Sequence, residues 1–414
     1  MKILVDSSNY FHDNRNYGDI AMFLMVSHRL LRLWPGAEVN LITLDPELVA
    51  MEVPGVRPLR LNARHGWELF PPAASSPGSE WRWRRRMRRW RALAGIQKKL
   101  PGYAGLSAET PDVDRFIDMF REASLVMASG GGYFSDMFPE HARGILDTLA
   151  GAQHFGVATA IMGAGFEDVR NPVLCAKARA VLPHLDLITC REGLHAPRIL
   201  QDFGVSPNRI RVAGDEAIAI SHEARASQLG SGLGINLRCA EYSGVSEEEL
   251  AVIAPIITRA AEKHSAPLLP IPISMFGPSD CESIRLLLAR HDPDSDGGAS
   301  LDTLPKLLEQ VSRCRVVVTG SYHAAAFALS QGISVVAVVR SLHYATKLDG
   351  LRAQFEEGCK LIMLDTPDFV ACLSDAIDDS WAAAGHVRET LLAQASEQIR
   401  RCDEAYLHLG KIVG

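Results

Sequence analysis

Short apolar runs alternate along this chain with longer stretches of helical period. Runs at 2–5, 38–43, 124–128, 158–162 and 186–189 are rich in Val, Ile, Leu and Met and predict strands. Between them, segments 20–33, 140–155, 172–182 and 193–203 repeat apolar residues every three or four positions and predict helices. A strand–helix–strand rhythm of this kind predicts a parallel sheet covered by helices on both faces. A second series starts near residue 232. Its strands are predicted at 232–237, 267–271, 315–318, 334–338 and 359–363, and its helices at 247–263, 280–290, 304–311, 323–331, 344–351 and 368–383. The polar stretch 221–231 (SHEARASQLGS) reads as a linker, and 387–409 as one long helix. The expected organisation is therefore an α/β lobe over 1–220, the linker 221–231, a second α/β lobe over 232–385 and a C-terminal helix over 386–414, with a cleft between the lobes. One segment, 61–113, breaks the rhythm. Its PPAASSPGSE piece predicts a loop and its WRWRRRMRRW piece a helix, together an insertion in the first lobe.

Composition narrows the class. A chain of 414 residues, 47% hydrophobic and 22% charged, has ordinary globular character and enough length for two or three cores without disulfide staples. Its eight cysteines are scattered singly with no CxxC pair, which argues against a zinc ribbon or a thioredoxin-type site and for reduced thiols in a cytoplasmic protein. The first residues, MKILVD, read as a strand rather than a signal peptide. The longest uncharged run, 316–339, holds Thr319, Gly320, Ser321, His323, Gln331 and Gly332, too much polarity for a membrane span. The net charge of −6 argues against a nucleic-acid binder, yet it hides an asymmetry: residues 81–99 carry seven Arg, two Lys and no acid.

In open parallel sheets ligands gather beyond the carboxyl ends of the strands, so the strand-to-helix turns are the places to look for chemistry. Five stand out. In Asn16-Tyr17-Gly18-Asp19, Gly18 would let a ligand approach the backbone while Asn16 and Asp19 point into the cleft; the alternative is a helix cap. In Ser129-Gly130-Gly131-Gly132, unobstructed backbone N–H groups at a helix start would hold an anion or a sugar hydroxyl; the alternative is a tight strand–helix crossing. Met162 to Phe166 (MGAGF) reads as a Gly-rich turn suited equally to packing and to binding. Arg191 and Glu192 follow a strand directly; Arg suits bidentate anion recognition, and Glu192 equally suits a helix start. Lastly, His323 opens a small-residue helix beside Gly320, Ser321 and Tyr322, where the helix dipole disfavours its charged form. Lesser candidates are Asn236, Arg238, Asp215, Glu216 and Lys347.

Taken in order, NYGD, SGGGYFSD, MGAGF, the CRE turn, GDEA, GINLR and TGSYHAAAFALSQGISVVAV followed by Tyr344 and Lys347 resemble the polysaccharide pyruvyl transferase family over most of the chain apart from 61–113. The resemblance implies two Rossmann-like lobes in a GT-B-like arrangement. It implies transfer of a pyruvyl group from phosphoenolpyruvate, a substrate rather than a cofactor, to two hydroxyls of a sugar, with no metal. Arg191 matches the family's Arg after the last strand of the first lobe and His323 the His of its second-lobe turn, and the expected site then has His323 and Asp19 as catalytic residues. Arg191, Gly130, Gly131, Gly132, Ser321, Tyr322, Arg238 and Lys347 bind the donor anion, and Asn16, Asn236 and Asp215 the acceptor. The family carries Ser-Arg-x-His at the second-lobe turn, and Ser321 stands here in place of that Arg. The loss removes a charge-assisted contact worth about 1.5–3 kcal/mol, so either Arg238, Arg340 or Lys347 substitutes for it or the donor differs.

The basic segment 81–99 reads either as an interfacial helix meeting anionic membrane headgroups, as suits a lipid-linked sugar acceptor, or as a clamp on an anionic acceptor, or as a solvated insertion. As a helix it would not gather Trp81, Trp83 and Trp90 on one face. Two further readings of the whole chain are a glycosyltransferase using a nucleotide sugar and a non-catalytic sugar-binding member of the same family.

Overall fold

The structure, a computed structural model, describes residues 1–6, 15–43, 46–60, 113–239, 245–277, 279–340 and 342–414. The first lobe is built on an all-parallel sheet of eight strands: β1 (Lys2–Asp6), β2 (Glu38–Thr43), β3 (Arg57–Arg60), β4 (Leu125–Ala128), β5 (Gly131–Phe134), β6 (Ala158–Phe166), β7 (Leu187–Cys190) and β8 (Ile210–Val212). Their spatial order is β3-β2-β1-β4-β6-β7-β8, with β5 lying against the far end of β6. Around the sheet pack α1 (Tyr17–Leu33), α2 (Pro46–Glu52), α3 (Val113–Glu122), α4 (Pro139–His154), α5 (Pro172–Val181) and α6 (Ala196–Asp202). Strands β4 and β7 are buried along their whole length, as strands covered on both faces must be.

The second lobe repeats the plan on a smaller scale. Strands β9 (Gly232–Asn236), β10 (Leu268–Pro270), β11 (Cys314–Thr319), β12 (Ser334–Val339) and β13 (Cys359–Met363) form a parallel sheet in the order β10-β9-β11-β12-β13. Helix α7 (Ala217–Glu223) leads into this lobe, followed by α8 (Glu247–His264), α9 (Asp280–Leu288), α10 (Leu304–Ser312), α11 (Tyr322–Ser330) and α12 (Leu342–Phe355). Capping boxes at Ser246/Glu249 and Ser279/Glu282 start α8 and α9 by satisfying backbone N–H groups that have no partner inside the helix. The sheet reverses its strand order between β9 and β11, the position where open α/β sheets leave a crevice.

The lobes share packing. Tyr17, Ile20, Ala21 and Met22 of α1 lie in one apolar cluster with Ala217 and Ile218 of α7 and with most of α11. The start of α1 and the chain just before it also pair with the second lobe: the N–H of Tyr17 donates to the carbonyl of Ile273 at 2.9 Å, and that of Met275 to the carbonyl of Arg15 at 2.9 Å. Helix α13 (Phe369–Val413, 45 residues) is about 68 Å long at the usual rise. Its first half packs on the second lobe through Leu373, Ala376 and Ile377. Its last turns reach the first lobe, where Cys402, Ala405, Tyr406 and Leu409 join Ile3, Val5, Val39 and Leu41 in one core.

Four expectations need correction. MGAGF is not a turn: Gly163 takes φ +66°, the ladder to β7 shifts register between Ile161 and Ala164, and the strand runs on to Phe166. SGGG does not open a helix either. Gly131 (φ 147°) starts β5, which pairs with the extension of β6, and α4 begins only at Pro139. Residues 221–223 are the end of α7 rather than free linker, with the buried Ser221 hydroxyl donating to the carbonyl of Phe327 at 3.0 Å. The helices expected at 368–383 and 387–409 are one helix. The single Gly385 between them costs about 1 kcal/mol relative to Ala, too little to break a helix held by packing on both sides. The segment 61–112, with its basic Trp/Arg stretch, lies outside the described residues.

Candidate active site

His323 stands at the second position of α11, where β11 ends and Ser321 caps the helix by accepting from the N–H of Ala324. Its imidazole lies directly on the backbone of Gly18 in the first turn of α1. A Cβ at Gly18 would sit 2.0 Å from Nδ1 and 2.2 Å from Cγ, so only glycine admits the ring there. Two turns more than 300 residues apart thus meet across the cleft.

Beyond His323 lies a charged cluster drawn from three strand ends. Arg191 leaves β7 with its guanidinium over Gly165, where a Cβ would come within 2.6 Å of Nε. The same guanidinium stacks on the Tyr322 ring, with Cζ 3.8 Å from the centroid. Lys347 reaches over from α12. A Cβ on Gly132 would lie 3.3 Å from Arg191 Nη2 and 3.4 Å from Lys347 Nζ, so both cations border the same glycine. Asp215, at the end of the β8 crossing, sits between the two groups: its Oδ2 is 3.7 Å from Arg191 Nη1 and 3.9 Å from His323 Nε2. Its other oxygen accepts from the N–H of Ala217 at 2.9 Å, which fixes the carboxylate. Glu167, just past β6, pairs with Lys347 at 3.0 Å.

Burial sets the protonation states. It pushes His323 down to about 4, against the pull of Asp215 and with the help of Arg191 and Lys347. The imidazole is therefore neutral near pH 7 and can accept a proton. Its Nε2 is buried with no hydrogen-bond partner among the described residues. Burial also lowers Lys347, opposed by Glu167 and reinforced by Arg191, and it raises the Tyr322 phenol. The arrangement offers two adjacent cations for an anion, a neutral base facing them and a carboxylate to orient both.

Of the residues singled out in the sequence, His323, Arg191, Lys347, Tyr322, Asp215 and Gly132 come together here. Asp19 follows Gly18 and is half-buried on the same turn. Asn16 caps α1, accepting from the N–H groups of Gly18 and Asp19. Ser321 is likewise a cap. Gly130 serves a tight crossing, since a Cβ would lie 2.7 Å from the carbonyl oxygen of Gly163. Asn236 is enclosed: its amide donates to the carbonyl of Ile271 at 2.7 Å and to Asp280 at 2.8 Å. Arg238 turns toward Asp280 and the Phe276 ring, and Arg340 pairs with Glu249. Of the three cations that could replace the missing Arg, Lys347 is the one that borders Gly132 with Arg191. Glu192 accepts from the N–H groups of Leu194, His195 and Ala196 and so acts as the helix-start residue of α6. Glu167 escaped the sequence reading. A charged residue directly after MGAGF was the available signal.

Two parallel α/β lobes facing across a cleft, with a terminal helix returning to the first, define a GT-B-type fold. A glycosyltransferase from Rickettsia africae is similar over 100% of this chain and 98% of its own, with a TM-score of 0.53 at 10% identity. A UDP-GlcNAc 2-epimerase from Neisseria meningitidis, solved with UDP-GlcNAc, is similar over 95% and 94%, with a TM-score of 0.52 at 12% identity. The chain belongs to the polysaccharide pyruvyl transferase family, whose model matches residues 16–341. That span holds Gly18, Arg191, Asp215 and His323, and Lys347 lies just beyond it. No curated protein matches the sequence. Among the described residues no helix is long and apolar enough to cross a membrane.

Proposed function

We propose that the protein transfers a pyruvyl group from phosphoenolpyruvate to two hydroxyls of a sugar in a glycan or lipid-linked glycan precursor, closing a cyclic ketal. The observation that carries this reading is the pair of buried cations, Arg191 and Lys347, flanking Gly132 beside a neutral His323. Phosphoenolpyruvate presents a phosphate and a carboxylate, and two cations answer them. In the reaction a sugar hydroxyl adds to the phosphate-bearing carbon and gives up its proton to His323, which passes that proton to the methylene carbon and so turns it into a methyl group. Phosphate then leaves with its bridging oxygen, and the second hydroxyl closes the ring as its own proton is lost. Asp215 orients His323 and Arg191, and Asp19 is assigned to the second hydroxyl. Lys347 supplies the charge that the family places at the position of Ser321. The acceptor enters between the lobes, with the basic segment 81–99 assigned to an anionic acceptor or an anionic membrane surface.

Calorimetry with phosphoenolpyruvate and, separately, with a UDP-sugar tests the donor. Heat with phosphoenolpyruvate that is lost in Arg191→Met supports the reading. Silence with phosphoenolpyruvate and tight binding of the UDP-sugar would overturn it in favour of a nucleotide-sugar enzyme. Replacing His323 with Ala is expected to remove at least about 100-fold of the transfer rate, as loss of a general base does. Unchanged turnover would reject its role.

A further inference from the structure

Lys347 and Glu167 come from opposite lobes. Glu167 is tied to the first lobe by its N–H, which donates to the carbonyl of Phe134 at 3.2 Å, where β5 and β6 end together. Lys347 rides on α12, and the second half of that helix leans on the first lobe. A Cβ at Gly350 would come within 2.6 Å of Glu192 Cγ, Gln354 donates to the carbonyl of Arg191 at 2.7 Å, and Asp349 faces His195 at 3.5 Å. Only 10% of the Lys347 side chain and 8% of the Glu167 side chain are exposed. Among the described residues, groups that act electrostatically with Lys347 include Glu167 from β6, Arg191 from β7 and His323 from α11. Glu167 is the one anion among them. A multiply charged donor arriving at Arg191 and Lys347 therefore meets cations already paired with carboxylates, Lys347 with Glu167 at 3.0 Å and Arg191 with Asp215 at 3.7 Å.

We infer that Glu167 is a positioning residue for the donor: its carboxylate keeps Lys347 charged and aimed across the cleft, and the anionic donor takes over that partnership on binding. This rests on the donor reading above. It predicts opposite effects of one substitution at the two ends of the pH range. Without the carboxylate, the largest influence opposing burial and Arg191 is removed, and Lys347 loses its proton at lower pH. Where Lys347 is still charged, the donor no longer competes with an internal anion.

The test is calorimetry with phosphoenolpyruvate from pH 6 to 9.5 on wild type, Glu167→Gln and Glu167→Asp. Lys347 is followed in the unliganded proteins by NMR of 13C-labelled lysine, assigned with Lys347→Arg. In Glu167→Gln, binding at pH 6 is expected to be at least as tight as in wild type and at pH 9 about tenfold weaker, with the Lys347 titration moved to lower pH. Glu167→Asp restores part of both. In Glu167→Gln/Lys347→Arg the alkaline loss of binding disappears, because Arg stays charged. Uniform weakening at every pH, or an unmoved Lys347 titration, would overturn the inference. If wild type binds no phosphoenolpyruvate, the donor reading fails, and the Lys347 titration alone decides the role of Glu167.

Discussion

Gly18→Ala puts the meeting of the two lobes to a direct test. The added methyl carbon would lie 2.0 Å from His323 Nδ1, where ordinary contact begins at 3.4 Å. The ring or the helix must give way by about 1.4 Å, in an interior packed at crystal-like density. His323 has little room to retreat, since Tyr322 lies edge-on at 5.3 Å between centroids and Phe327 at 6.2 Å. Overpacking of this kind costs about 1–3 kcal/mol. Gly18 sits in a helical turn without positive φ, so Ala returns about 1 kcal/mol of helix propensity. The net loss of stability is then on the order of 0–2 kcal/mol, and the protein stays folded. Catalysis suffers far more, because a displacement of about 1 Å in a reacting group costs roughly 100-fold in rate. Urea unfolding measures the first quantity, turnover with phosphoenolpyruvate the second, and the His323 imidazole resonances report the displacement. A variant with wild-type turnover and unmoved His323 resonances would refute the placement of His323 against α1.

Two other outcomes follow from buried charge. Arg29 is enclosed between Glu216 and Asp403 and beneath the Tyr406 ring, so Arg29→Met strands the Glu216 carboxylate and should cost about 3–5 kcal/mol in urea unfolding; a loss below about 1 kcal/mol would contradict the pairing. His323, held near 4 in the folded protein against 6.5 for the free group, takes up a proton on unfolding between those values. Its contribution is complete above pH 6.5 and is lost as pH falls toward 4, on the order of 3 kcal/mol in all. In His323→Gln the acid slope of unfolding free energy over that window should shrink accordingly, and an unchanged slope would dispose of the shift.

The rhythm of strands and helices was readable because each buried strand is a short apolar run with polar or glycine flanks, as in 38–43 and 359–363, which match β2 and β13 end to end. Strands β3, β5 and β8 were not readable as strands. Each has only three or four residues and gains its identity from a neighbour already in the sheet. Glycine misled in one direction only. Gly163 and Gly131 look like chain reversals, yet they serve a register shift and a strand start that let β5 and β6 continue toward the cleft. At the site, the turns were legible one by one, but their pairing was not. Nothing local links Gly18 to His323, Asp215 to both His323 and Arg191, or Lys347 to Glu167, because these contacts span 24 to 305 residues. Asn16, Ser321 and Glu192 show the reverse case: polar residues at helix starts whose side chains are engaged by backbone N–H groups.

Helix α13 has a consequence for how the chain acquires its structure on the ribosome. The hydrophobic faces of Ile3, Val5, Val39 and Leu41 are covered in part by Cys402, Ala405, Tyr406 and Leu409. Those covering residues emerge 190 to 197 residues after the first sheet is complete at Val212, on the order of 10–40 s later at ordinary translation speeds. Through that interval the nascent first lobe carries a partly uncovered apolar strip beside β1, a surface that a chaperone or a stray neighbouring chain can occupy. The arrival of the last turns of α13 closes the strip and, through Asp403 and Arg29, joins the ends of the molecule, so that neither half completes its maturation alone.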